Sequence, residues 1–298
     1  MTAFAVRRAA DAVFAVPPGA PPGSHGLRRW QVVGEEDGAV HTGFGVCELA
    51  PDGVVGAHVH AYEESFHVLS GAVLLDTPEG TRLLVEGDYG LLPTGVPHAW
   101  RGTGGAPARW ADMLAPVPRA RYGHDTQPVP ALPPREPRRI DVRDPRTRSY
   151  GHFEPEQMDP GRQSQDLLAV SASMRTALLV YSGITVKMMV DPDLGAVAST
   201  MFMVQYAPDG VAGTHDHPFE ETYLFLEGTV DARFDGEHRL LGPGDAAWAA
   251  AGCVHGFRNA GDGPLRWLET QAPQPPSRHS YRFTRDWEYL REALKEKP

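Results

Sequence analysis

Short runs of β-forming residues, separated by turns, make up most of this chain. The segments TGFGVCELA (42–50) and STMFMVQYA (199–207) are rich in residues that favour strands. The segments SFHVLSGAVLLDT (65–77) and TYLFLEGTVDARF (222–234) each place a glycine turn between two strand-like runs. Turn signals recur every ~8–12 residues with no helical period between them, which predicts an antiparallel barrel or sandwich.

The chain also repeats itself at an offset of 157 residues. Gly38–Pro118 aligns with Gly195–Pro275 without a gap, and 31 of the 81 pairs are identical. The matched residues are varied, so a shared low-complexity tract does not explain the match. The period exceeds the ~20–50 residues of solenoid repeats and therefore indicates two copies of one domain.

Local composition divides the rest of the chain. The stretch between the copies is dense in proline and arginine, and we expect it to wrap over the surface as a linker. Strands are expected at Thr176–Val190, after a short helix at Ser164–Arg175. In the tail, Trp287, Leu290 and Leu294 have helical spacing. We predict an N-terminal arm at 1–29, a first barrel at 30–118, the linker at 119–164, a second barrel at 165–275 and a helical tail at 276–298.

Composition narrows the class of protein. The 298 residues carry 28 Lys+Arg against 38 Asp+Glu, a formal charge of −10, and 41% of them are hydrophobic. A sizeable core is expected, whereas binding to nucleic acid or to a membrane is not. Arg7, Arg8 and Asp11 argue against a signal peptide. Cys47 and Cys253 form no paired motif, so we expect a reduced, cytoplasmic protein.

Histidines recur at matched positions in the two copies. Side chains two residues apart on a strand share a face, so His58 and His60 can aim at one point, as can His215 and His217. One glutamate follows each pair on the same face, and one further histidine comes from a later hairpin. This donor set suits Fe, Mn, Ni, Co, Cu or Zn, one or two per chain. The predicted ligands are His58, His60, Glu64 and His98 in the first copy, and His215, His217, Glu221 and His255 in the second.

These stretches resemble the two signature motifs of the cupin superfamily, G-x5-H-x-H-x(3,4)-E-x6-G and G-x5-P-x-G-x2-H-x3-N. The chain as a whole resembles a bicupin, with two tandem jelly-roll barrels and a short C-terminal helix. Besides the ligands, the first copy matches at Gly71, Gly87, Pro93 and Gly95, and the second at Gly228, Gly244, Gly252 and Asn259. The sequence departs from the motifs at three kinds of position. The first glycine of the first motif, Gly53 or Gly210, comes one residue later than the motif places it. Gly102 stands in place of the final Asn in the first copy, and Ala250 stands in place of the Pro in the second copy. No departure affects a ligand position.

The resemblance implies a metal-dependent enzyme. The first hypothesis is a quercetinase-like dioxygenase or related oxygenase that acts on a small, chelating, enolisable or aromatic substrate. In this interpretation Glu64 or Glu221 is both a ligand and the base, and Tyr223, two residues past Glu221, is a candidate hydrogen-bond donor. The same resemblance implies a homodimer. Tyr62, Phe66, Trp100 and Trp110 are candidates for stacking on the substrate at the first site.

Two other hypotheses remain open. One is an isomerase, decarboxylase or aminohydrolase that does not use O₂, and the other is a non-catalytic binder or regulator. The sequence does not identify the active copy, although we expect one copy to dominate. Glu63 and Glu220 are expected to point away from the metal, towards solvent or salt bridges. His67, which breaks the repeat, is expected at the surface.

Overall fold

The computed structural model describes residues 3–141, 143–144, 147, 149–159, 176–179, 183–274 and 282–283. These residues form an all-β protein of two barrels, which confirms the predicted fold class. The described helical segments are short 3₁₀ turns at Ala9–Asp11, Glu35–Asp37, Ala120–Asp125 and Pro155–Met158. None of the described helices has the length and apolar character needed to cross a membrane.

The first barrel consists of eight strands of its own and three short strands that the linker contributes. Its long strand β3 pairs with β2, β8 and β9, so that the histidine pair at the end of β3 lies beside the strand that carries the third histidine. The strands are β2 (His25–Val33), β3 (Gly43–His60), β4 (Glu63–Ser70), β5 (Ala72–Thr77), β6 (Gly80–Val85), β7 (Asp88–Leu92), β8 (His98–Gly102) and β9 (Ala108–Ala115). The linker contributes β10 (Thr126–Pro128), β11 (Arg138–Arg139) and β12 (Tyr150–His152).

The second barrel repeats this arrangement. Strands β4, β8 and β9 recur at the offset of 157 residues with the same bounds, as β17, β21 and β22. The described strands are β13 (Thr176–Leu179), β14 (Ile184–Val190), β15 (Thr200–Tyr206), β16 (Val211–Asp216), β17 (Glu220–Glu227), β18 (Val230–Phe234), β19 (Glu237–Leu241), β20 (Ala246–Ala249), β21 (His255–Asn259), β22 (Leu265–Ala272) and β23 (Arg282–Phe283).

The arm and the linker extend the sheets of the barrels. The arm strand β1 (Phe4–Arg7) pairs with β20 of the second barrel, and linker strand β12 pairs with β7 of the first. The first barrel also begins earlier than the predicted boundary at residue 30, because β2 starts at His25 and Leu27 is part of the barrel core. The linker therefore adds strands to the first barrel instead of only lying over its surface.

Some predicted segments lie largely outside the described residues. The predicted helix at Ser164–Arg175 lies wholly outside them, and so does the predicted tail helix with Trp287, Leu290 and Leu294. Within 276–298 only β23 is described, as a strand beside β16. The strands expected at Thr176–Val190 are present as β13 and β14, and Gly183 between them has a φ of 65°.

The turn glycine that the repeat shares has a steric reason. Gly71 and Gly228 have φ values of 74° and 78°, in the left-handed region that favours glycine. A Cβ atom at either position would meet the carbonyl oxygen of Pro107 or Pro264. Glycine therefore fixes the turn that brings the glutamate-bearing strand back across each barrel.

The two barrels share a core, and two buried glutamates link them. Each carboxylate accepts backbone N–H groups from the opposite barrel: Glu63 from Val197 and Ala198 at 2.7 and 2.8 Å, and Glu220 from Val40 and Thr42 at 2.9 and 3.0 Å. Only 2% of Glu63 and 4% of Glu220 is exposed. The expectation that these residues face solvent is wrong, because the outward face of their strands is the interface between the barrels. His67, on the same face of β4 as Glu63, is 4% exposed, so the expectation that it lies at the surface is also wrong.

Candidate metal centres

The first site consists of His58, His60, Glu64 and His98. Strand β3 ends with the first two histidines, β4 carries the glutamate and β8 begins with His98. One nitrogen from each histidine lies within 4.8 Å of the others. Nε2 of His58 is 3.1 Å from Nε2 of His60, and Oε2 of Glu64 is 3.2 and 3.4 Å from Nε2 of His60 and His98. The fold thus brings all four predicted residues together.

Backbone contacts orient these rings. Nδ1 of His58 lies 2.6 Å from the carbonyl oxygen of Gly56, and Nδ1 of His98 lies 2.9 Å from that of Val96. A carbonyl only accepts, so Nδ1 carries the proton and the Nε2 lone pair faces the centre. Burial, and then the neighbouring histidines, lower the pKa of His58 to about 3. The ring is therefore neutral at pH 7, as metal coordination requires.

The second site consists of His215, His217, Glu221 and His255. Its three histidines also place one nitrogen each within 4.8 Å of the others. Oε2 of Glu221 lies 2.8 Å from Nε2 of His217 and 3.2 Å from Nε2 of His255. Burial lowers the pKa of His215 to about 4. The repeat thus reproduces the donor set of the first site.

Both sites fit a divalent cation. Donor atoms 2.8–3.4 Å apart match the spacing of ligands that each lie ~2.0–2.2 Å from one shared ion. Nε2 of His98 and Nε2 of His255 are buried, and among the described residues neither atom has a hydrogen-bond partner. A metal ion would satisfy both atoms, and one glutamate would offset part of its charge.

The two glutamates differ in their surroundings. In the second site, the Tyr223 hydroxyl donates to Oε2 of Glu221, and Nε2 of Gln271 donates to Oε1 at 2.6 Å. The sequence placed Tyr223 on this face, and it is fully buried. Burial, and then the charge of Glu221, raise the pKa of the neighbouring Glu269 well above its usual range. Glu221 is thus held among a phenol, an amide and a protonated carboxyl group.

The first site replaces this network with apolar residues and an ion pair. Phe66 and Leu114 occupy the positions of Tyr223 and Gln271 at the offset of 157. Asp112 occupies the position of Glu269 and binds Arg29, with Nη2 of the arginine 2.6 Å from Oδ1 of the aspartate. The side chains of this pair are 9% and 7% exposed. Glu64 consequently lacks the two side-chain donors that hold Glu221.

The first site opens into a cavity of about 210 Å³. Three of its four candidate ligands line this cavity. Three of the four aromatic residues that the sequence suggested for stacking on a substrate also line it. The fourth, Phe66, does not line the cavity and packs against Trp100 instead. The aromatic lining residues are Tyr62, Trp100 and Trp110. Tyr62 stacks on His60 with ring centroids 4.2 Å apart, and its hydroxyl lies 3.3 Å from Oγ1 of Thr126.

Sequence reasoning missed two polar residues of this cavity. Arg29 and Asp112 both line it, and neither belongs to the histidine motifs. The alternation of side chains along each strand could have identified these two residues. Asp112 lies on the same strand face as Trp110, and Arg29 lies on the same strand face as Leu27. A charged residue on the apolar face of each of two strands indicates a buried pair.

Comparison with known proteins identifies the family. The sequence profile described as Cupin domain matches residues 45–114 and 202–270, one match in each barrel. The chain belongs to the cupin family. This cupin is 30% identical over 101 residues to the tetracenomycin polyketide synthase protein TcmJ of Streptomyces glaucescens, a match that covers 33% of this chain and 68% of that protein.

Solved structures share the two-barrel fold over most of the cupin chain. The oxalate decarboxylase of Lactobacillus farciminis, in its formate complex, superimposes with a TM-score of 0.63 at 14% identity and covers 96% of this chain and 90% of its own. Protein YlbA of E. coli superimposes with a TM-score of 0.61 at 14% identity, covering 90% of each chain. The bicupin architecture expected from the sequence is confirmed.

Proposed function

We propose that this cupin is a metal-dependent enzyme whose catalytic centre is the first site. The observation that carries the proposal is the cavity, because it brings three of the four candidate ligands of that site into contact with open space. A bound divalent metal would supply a Lewis acid there and would orient a substrate that chelates it. The second site would then stabilise the fold, with Tyr223 and Gln271 holding Glu221 in place.

The substrate class follows from the cavity. Its volume of about 210 Å³ lies below the ~300–1,000 Å³ of drug-sized ligand sites, so the part of the substrate that enters is small. Aromatic rings line part of the wall, which favours a flat, partly apolar molecule. We infer a β-dicarbonyl compound or a hydroxylated aromatic compound. The similarity to a polyketide synthase protein supports this class, because polyketides contain both groups.

Glu64 would accept a proton from this substrate. Burial alone would raise the pKa of Glu64, but His60 and His98 outweigh burial and hold the pKa below its usual range. The carboxylate is therefore ionised at neutral pH, although a low pKa also makes it a weak base. Chelation to a bound metal would lower the pKa of an enol or phenol hydroxyl, which is what would let so weak a base accept its proton. Tyr62 and the Arg29–Asp112 pair would position the substrate against the carboxylate.

The reaction that we propose is an oxygenation by O₂. Oxygen uptake by metal-loaded protein, supplied in turn with 2,4-pentanedione, a flavonol and gentisate, tests this reaction. We expect uptake with at least one of the three, and none with metal-free protein or with the His58→Ala variant. Turnover of the substrate under strict anaerobiosis would contradict the oxygenase and would instead support a metal-dependent isomerase or decarboxylase.

A further inference from the structure

The six candidate ligand histidines differ in what holds Nδ1, the ring nitrogen that faces away from the metal position. In five of them Nδ1 lies 2.6–3.0 Å from a main-chain carbonyl oxygen two residues away in the sequence. These five are His58, His98, His215, His217 and His255. A carbonyl oxygen only accepts hydrogen bonds, so the neighbouring backbone fixes the tautomer and the orientation of each of these rings.

His60 is held by a side chain from the linker instead. Its Nδ1 atom lies 3.0 Å from Oγ1 of Thr126, which is 66 residues away in the sequence. Thr126 begins strand β10, which pairs with the end of β3 so that Thr126 lies opposite His60. The N–H of Ala61 donates to the carbonyl oxygen of Asp125 at 2.9 Å and fixes the linker at the same point. A segment outside the repeat thus contributes one contact to the first site.

A second hydrogen bond gives the first one its direction. Oγ1 of Thr126 lies 3.1 Å from the carbonyl oxygen of His124 and donates to it, because a carbonyl oxygen only accepts. The threonine oxygen therefore accepts the Nδ1 proton of His60. The lone pair of Nε2 then faces the other ligands, with Nε2 of His58 at 3.1 Å and Oε2 of Glu64 at 3.2 Å.

The turn before β10 places this carbonyl oxygen. His124 and Asp125 have φ values of 58° and 52°, in the left-handed region that residues other than glycine adopt at a cost. Arg119 offsets the cost, since the Asp125 carboxylate accepts from its main-chain N–H at 2.9 Å and from its Nη2 at 2.8 Å. The linker therefore holds a strained turn at the point where it meets the ligand ring.

The hydrogen bonds of Thr126 also decide between two roles, because the residue lines the cavity and could contact a substrate. A hydroxyl group has one proton and two acceptor positions. The proton goes to His124, one acceptor position serves His60, and the Tyr62 hydroxyl lies 3.3 Å from the oxygen to use the other. These three neighbours account for the whole hydroxyl group, so it acts on the ligand ring and not on the substrate.

We propose that Thr126 is a positioning residue of the first metal site, and that the linker thereby controls the metal affinity of this site alone. The inference rests on His60 as a ligand in the proposed function, but not on the oxygenation. Loss of the partner that orients a ligating histidine weakens metal binding by ~10–100-fold. The second site needs no such residue, because the carbonyl oxygen of Phe219 holds the equivalent ring of His217 at 3.0 Å.

Competition between the protein and a chelator for Zn²⁺ measures the effect at each site separately. In the His215→Ala background, which keeps the full ligand set of the first site only, Thr126→Val should weaken Zn²⁺ binding by about 10–100-fold. Thr126→Ser keeps the hydroxyl and should bind like its parent. In the His58→Ala background, Thr126→Val should leave the affinity of the second site unchanged. Thr103→Val, which removes a hydroxyl away from the cavity, should change neither affinity.

An NMR measurement on the Zn²⁺-loaded wild type tests the contact without any variant. The Nδ1 proton of His60 should show a nuclear Overhauser contact with the side chain of Thr126. Absence of this contact, unchanged affinity of the first site in Thr126→Val, or an equal loss at both sites would overturn the proposal. No Zn²⁺ binding at the first site would overturn the ligand role of His60 itself, whereas a site that binds Zn²⁺ as predicted without oxygen uptake would overturn only the oxygenation.

Discussion

The two candidate metal sites have the same predicted ligands but different surroundings. In the second barrel, Glu221 accepts hydrogen bonds from Tyr223 and Gln271 and lies beside the protonated Glu269. In the first barrel, Glu64 has no equivalent donors and faces a cavity. A duplicated ligand set therefore does not imply a duplicated activity, because neighbouring residues determine whether a ligating carboxylate is held still or left accessible to a substrate.

The largest expected difference between the sites is in turnover. His58→Ala should lower kcat/KM by about 10³-fold or more, because it removes a ligand at the open cavity. His215→Ala should keep turnover within about tenfold but lower the melting temperature, because a bound metal stabilises the folded state. Each variant should lose one equivalent of metal by elemental analysis. Equal loss of activity from both substitutions would contradict the distinction between the sites.

The next difference is in stability, at equivalent positions of the two barrels. Asp112→Asn should reduce the free energy of unfolding by about 3–5 kcal/mol, because it leaves Arg29 buried without its counter-charge. Glu269→Gln should cost less than about 1 kcal/mol, because its carboxyl group is already protonated and an amide can replace it. Denaturant titrations at pH 7 measure both values. A reversed order would show that the charge states of these residues are assigned wrongly.

A smaller expected difference concerns how the free energy of unfolding depends on pH. The first barrel has the buried His67 at a position where the second barrel has Leu224. Below about pH 6.5 the unfolded chain binds a proton at His67, whereas the native state binds it only near pH 4. The free energy of unfolding therefore falls as the pH falls through this window, by about 3 kcal/mol at most. His67→Leu should make that pH dependence shallower than in the wild type. Parallel curves for the two proteins would argue against a buried, neutral His67.

The smallest expected effect comes from making the first site more like the second. Tyr62→Phe introduces the residue that the second barrel has at the equivalent position, Phe219, which stacks on His217 with centroids 3.8 Å apart. The stacking on His60 should persist, so metal content should not change. Loss of one hydroxyl should lower kcat/KM less than about tenfold. A larger loss, measured in the same assay, would mean that the phenol takes part in the chemistry.

The sequence predicted the two barrels and the grouping of all eight ligand candidates, because each depends on strand alternation and on a repeat without gaps. It did not predict what covers the opposite face of the same strands. Glu63, Glu220 and His67 were placed on the outward face, and only the packing of one barrel on the other makes that face an interface. The alternation of side chains along a strand identifies which residues share a face of the sheet. It does not identify whether solvent or another domain covers that face.

Long-range pairs were missed for a related reason. Arg29 and Asp112 are 83 residues apart in sequence, and they meet because β2 and β9 both pair with β3. Local patterns show that each residue is unusual on its strand, but they do not show which strands become neighbours. The offset of 157 residues shows that this ion pair belongs to the first barrel alone. In the second barrel, Val186 occupies the position of Arg29 and Glu269 occupies the position of Asp112.

The central claim is that a chelating molecule reaches the metal of the first barrel and not that of the second. The most direct measurement is the absorbance change of 4-nitrocatechol when it is added to metal-loaded His58→Ala and His215→Ala proteins. We predict that the His215→Ala protein binds one equivalent, as does the wild type, and that the His58→Ala protein binds none. Binding by the His58→Ala protein, whether or not the His215→Ala protein also binds, would contradict the account.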